Sequence, residues 1–85
     1  MNQSINEKVK VFAEFGRDIS DIVPSQFNWG EKEFRVKNAR KAIYRNGGNV
    51  SYLFSGNDGD TKFELDFNPK DLSWVLTKMW NTATA

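Results

Sequence analysis

Residues 49–67 read NVSYLFSGNDGDTKFELDF, and their pattern decides the fold class. In TKFELDF, Phe63, Leu65 and Phe67 share one parity while Lys62, Glu64 and Asp66 share the other. This is the period-2 signature of a strand with one buried face. NVSYLFS repeats it with Val50, Tyr52 and Phe54, and the intervening GNDGD is rich in residues that accept the positive φ of tight hairpin turns. The stretch predicts an antiparallel hairpin.

Upstream, KEFRVKNARKAIYR sets Phe34 and Val36 inward and Arg35 and Lys37 outward before a second turn signal at Asn46, Gly47 and Gly48. Strict alternation lapses over residues 38–42, which predicts a bend there. EKVKVFAEF places Val9, Val11, Ala13 and Phe15 opposite Lys8, Lys10 and Glu14 and reads as the first strand. Between these two lies PSQFNWG. Pro24 fixes φ and Gly30 permits an unusual angle, so Phe27 and Trp29 are expected on a loop entering the next strand, with their rings in the core or at its edge. A continuous strand would put them on the same face as Glu31 and Glu33.

Downstream, residues 68–80 read both ways. Asn68 followed by Pro69 suits a helix start, and Leu72, Val75, Leu76 and Met79 have helical spacing. Trp74, Leu76 and Trp80 alternate with Val75, Thr77 and Met79 in a β-rich run, and strand is the reading adopted. Five strands joined by short turns predict an all-β fold. The expected form is a small five-stranded antiparallel sheet, or a partly open barrel like the SH3 barrels in size and strand order, with one short helical turn.

The 85 residues favour a single domain over 1–85, with residues 1–6 and 81–85 as flexible ends. With no cysteine, seven Phe, three Trp and two Tyr must supply the core. The opening MNQSINEKVKV has neither the basic region nor the apolar run of a secretory signal, and no segment approaches membrane-spanning length, so a cytoplasmic location is the default expectation.

Pro24, Phe27 and Trp29 form Pro-x-x-Phe-x-Trp, Phe34 and Val36 an aromatic-x-Val strand, Phe63 and Leu65 an aromatic-x-Leu strand, and Trp74 and Leu76 a Trp-x-Leu pair. From Val9 onward this pattern resembles a family of short uncharacterised bacterial domains of unknown function. One departure is Gly30, which follows Trp29 directly where the family's glycine usually comes one residue later. The resemblance implies a compact β fold and brings no activity, so no functional residue is carried over from it.

The absence of histidine and cysteine removes the usual general base, the usual thiol nucleophile and most zinc ligation. No catalysis, cofactor or metal is therefore expected. Asp58, Asp60, Glu64 and Asp66 lack the spacing of a calcium loop and read as turn and solvated face. Two binding surfaces stay open. Phe12, Leu53, Val75 and Met79 fall on the parity opposite to the core sets and, with Trp80, suggest a second apolar face for a protein partner or a second copy of the chain. RDISDIV offers an internal cover for that face, with Ile19, Ile22 and Val23 at helical spacing and Asp18 as cap.

The alternative surface is basic. Within residues 31–45 six basic residues face two acidic ones, a local excess of +4. Arg35, Lys37, Arg40, Lys41 and Arg45, with Tyr44 and Tyr52 for stacking, would make a single-stranded or non-specific nucleic-acid site. Against this, the whole chain carries only +1 and residues 57–71 are acidic, so the basic run also reads as a solvated or paired face. The function expected is a non-catalytic protein-interaction module that uses its second face or an unpaired strand edge, as small β domains do.

Overall fold

The computed structural model describes residues 2–81, leaving the expected flexible ends at Met1 and residues 82–85 outside the described residues. Eight strands run in the order β1 (Asn2–Lys8), β2 (Lys10–Glu14), β3 (Val23–Trp29), β4 (Lys32–Arg35), β5 (Lys37–Asn46), β6 (Asn49–Asp58), β7 (Thr61–Asn68) and β8 (Ser73–Asn81), with one 3-10 turn at Ile19–Asp21. They form a five-stranded antiparallel sheet, β1-β8-β7-β6-β5, and a three-stranded sheet, β2-β3-β4. The sheets enclose one core without closing into a barrel.

Two chain segments belong to both sheets. One leaves β1 for β2 at Val9, whose N–H donates to the Trp74 carbonyl at 3.1 Å, and the other leaves β4 for β5 at Val36, whose N–H donates to the Ser25 carbonyl at 2.9 Å. Strands that switch sheets need a bend. Near each crossing an asparagine sits in the left-handed region, Asn6 at φ 56° and Asn38 at φ 55°. Each lies inside a register shift, between Ser4 and Glu7 and between Lys37 and Arg40. Asparagine tolerates this conformation better than other side chains. The bend expected near residues 38–42 is thus present, centred slightly earlier.

The predicted hairpin pairs Tyr52 with Phe67 and Phe54 with Leu65, and these four side chains are buried. PSQFNW is a strand rather than a loop: Phe27 pairs with Phe34 and Trp29 with Lys32 across a two-residue turn, with Gly30 at φ 62°. A bulge resolves the conflict of parities. Ser25 is the extra residue opposite Phe12 and Ala13, so Pro24 and Phe27, of opposite parity, are both buried. The Phe27 ring bridges the sheets, 5.1 Å from Phe34 and 4.8 Å edge-on to Phe63. Trp29 is half-buried against the same core, and its indole N–H donates to the Glu7 carboxylate at 2.5 Å.

Residues 2–4, within the stretch expected as a flexible end, are paired with β8, and Asn81 is the last residue of β8 itself. The Asp18 carboxylate accepts from the Ser20 N–H at 2.9 Å and caps the 3-10 turn as expected. That turn does not cover the second face. Ile22 is buried and Ile19 packs against the core, while Val23 is exposed, so the segment closes an end of the space between the sheets.

Candidate functional site

The five residues expected to form a second apolar face are not brought together. Phe12 lies on β2 of the three-stranded sheet, exposed, with the Lys10 ammonium 5.2 Å from its ring centre. Leu53 and Val75 lie on the outer face of the five-stranded sheet, flanking Asp66. Met79 belongs to the core instead: Thr77 is an extra residue between the pairs Leu65–Leu76 and Glu64–Lys78, so Met79 returns to the inner side opposite Phe63. The Thr77 hydroxyl fixes this bulge by donating to the Glu64 carbonyl at 3.2 Å. Trp80 is half-buried and lines an open depression of about 500 Å³ with Arg40, Ser55, Asn57, Lys62 and Glu64.

Burial between Leu53 and Val75 raises the Asp66 carboxyl above the usual carboxylate range, partly offset by a hydrogen bond with Ser51. One of its oxygens, Oδ1, is buried without a partner. The outer face is therefore a mixed surface, with a carboxylate in the middle of its small apolar strip.

The basic residues are also dispersed. Tyr52, expected as a stacking platform, is buried beside Phe67 and cannot meet a base. Lys41 reaches inward, donating to the Ser20 carbonyl with its ammonium 5.3 Å from the Tyr52 ring centre. Lys37 pairs with Asp58 at 3.8 Å, and the same carboxylate accepts the Arg35 N–H at 3.0 Å. Arg40 and Arg45 have no polar partner among the described residues, and Tyr44 is exposed.

What the structure does assemble is an edge. β5 pairs with β6 on one side and ends the five-stranded sheet on the other, and each of its ten residues is exposed. Its hydrogen-bond parity follows from the turn. Gly47, at φ 63°, occupies the first position of a two-residue loop closed by Asn46 and Asn49, the place that a type II′ hairpin reserves for glycine. The closing pair of such a hairpin exchanges both of its backbone hydrogen bonds, and the bonding then alternates along the strands. Tyr44, Ala42 and Arg40 are thus bonded to β6. Arg45, Ile43 and Lys41 turn their N–H and C=O groups to the open side.

The side chains follow the same alternation. Ile43 stands opposite the buried Tyr52 on the inner side and is 49% exposed, because the cover does not extend over the edge. The sequence predicts an unpaired strand edge as one of two surfaces but does not identify the strand, because the chemistry of an edge is carried by backbone groups. Among the described residues no cluster of three metal-ligating side chains occurs, and no helix is long and apolar enough to cross a membrane. The chain matches no protein-family model, and no curated protein or solved structure shows significant similarity to it.

Proposed function

We propose that this chain is a non-catalytic protein-interaction module that works by strand addition at the open edge of β5. The observation that carries the reading is the row of backbone groups at Lys41, Ile43 and Arg45, which meets no strand among the described residues, on a ten-residue strand that is exposed throughout. Strand addition draws affinity from main-chain hydrogen bonds and specificity from alternate side chains. The scaffold behind the edge is well packed: Phe63, Leu65, Phe67 and Leu76 are almost wholly buried, and the edge is open to a strand without any of them moving. The nucleic-acid alternative has less support, since Tyr52 is buried and Lys37 and Lys41 are already engaged.

A selection from a library of random extended peptides tests the reading. Bound peptides should protect the Lys41, Ile43 and Arg45 amides from hydrogen exchange. Ile43→Pro, which removes one outward N–H, should abolish binding. Protection confined to Leu53, Val75 and Trp80 would reject the edge and favour the outer face.

A further inference from the structure

We infer that the strand accepted by β5 is acidic: an extended segment of a partner protein with carboxylates opposite Arg45 and Arg40 and a β-branched residue opposite Ile43. The inference rests on the strand-addition reading and adds the chemistry of the occupant. β5 carries four basic residues and no acidic one. Lys37 and Lys41 are engaged within the fold, whereas Arg40 and Arg45 have no polar partner among the described residues.

Five positions separate Arg40 from Arg45, so they project to opposite faces of the sheet. A single added strand meets both demands, because its own side chains alternate between the same two faces and directly opposed charges attract across a ladder. Ile43, on the inner face between Lys41 and Arg45, supplies the apolar cross-strand contact. A phosphate backbone cannot pair with the row of N–H and C=O groups. A second copy of β5 would set four cations against four, the like-charge pairing by which natural edges resist self-association.

The test compares two capped six-residue peptides by calorimetry. One has glutamates opposite Arg45 and Arg40 and a valine opposite Ile43; the other replaces each glutamate with glutamine. The acidic peptide should bind about tenfold more tightly at low salt, the gain expected of two favourable cross-strand pairs. The double variant Arg40→Glu with Arg45→Glu should invert this preference toward a lysine peptide, and Ile43→Pro, with its circular dichroism unchanged, should bind neither.

Equal affinity for the two peptides would overturn the acidic occupant and leave strand addition standing, whereas binding of neither would overturn both. Oligothymidine that binds through Arg40 and Arg45 and is indifferent to Ile43→Pro would also overturn both, in favour of nucleic acid. A concentration-dependent dimer lost in Ile43→Pro would keep strand addition but make the occupant a second copy.

Discussion

β7 and β5 lie in one sheet, separated only by β6, and could hardly differ more in environment. On β7, Phe63, Leu65 and Phe67 are at most 1% exposed, because a neighbour flanks each side and the three-stranded sheet lies across the inner face. On β5, Ile43 has the same orientation as Phe67 through Tyr52, yet is half exposed. Inward direction therefore does not guarantee burial. An edge residue has one neighbour instead of two, and the cover over the middle of the sheet does not extend to it. The same sheet supplies a buried centre and a margin with no strand beside it among the described residues.

The widest separation between these strands should appear on truncation. Phe63→Ala is expected to cost about 3–5 kcal/mol, a large fraction of a small domain's total, whereas Ile43→Ala should cost under about 1 kcal/mol. Urea unfolding measures both. Comparable losses would mean that the β5 edge is covered in solution.

Proline substitution sharpens the comparison within β5 itself. Ala42 bonds to β6, so Ala42→Pro should remove a ladder hydrogen bond and destabilise by on the order of 1–3 kcal/mol. Ile43→Pro, with its N–H on the open side, should lose under about 1 kcal/mol. The reverse order in thermal melts would show that the hydrogen-bond parity is shifted by one residue.

On β6, between the two strands, Gly56 leaves space that the crossing at Val36 uses. A Cβ there would stand 3.0 Å from the Lys37 carbonyl oxygen and 3.1 Å from Val36 Cγ1. Overpacking of this kind costs roughly 1–3 kcal/mol, and Gly56→Ala should lower the thermal midpoint accordingly, near the lower end because one methyl is added. An unchanged midpoint would show that the corner yields freely.

The smallest effect concerns Asp66 on the outer face of β7. Its carboxyl is raised by burial, so the folded state holds the proton more tightly than the unfolded chain. The resulting stabilisation is complete below the unfolded pKa and is lost as pH rises through the folded one. Asp66→Asn should therefore stabilise the protein slightly at neutral pH and have least effect in acid. Asp18 and Asp71, lowered chiefly by hydrogen bonds from Ser20 and Ser73, run the other way: their contribution is present at neutral pH and lost as pH falls. A gain for Asp66→Asn that is equal at every pH would show that the charge is not its cause.

Alternation in Phe63, Leu65 and Phe67 and in Tyr52 and Phe54 was legible in the sequence because both strands lie in the middle of the sheet, where local period and burial agree. The aromatic role of Phe27 was legible too, but not its place on a strand. Pro24 and Phe27 have opposite parity, and only the bulge at Ser25, held by its hydroxyl donating to the Phe12 carbonyl at 3.0 Å, turns both inward. Met79 was misread for the same reason, through Thr77.

By itself, then, the sequence determined the all-β class, the hairpin turns and most of the core, since these follow from side-chain period and the conformational freedom of single residues. Tertiary structure alone decided where the bulges reset parity, where Val9 and Val36 pass between sheets, and which strand stands at the edge. Those outcomes depend on which backbone groups find partners far along the chain, and every residue except proline carries the same backbone groups.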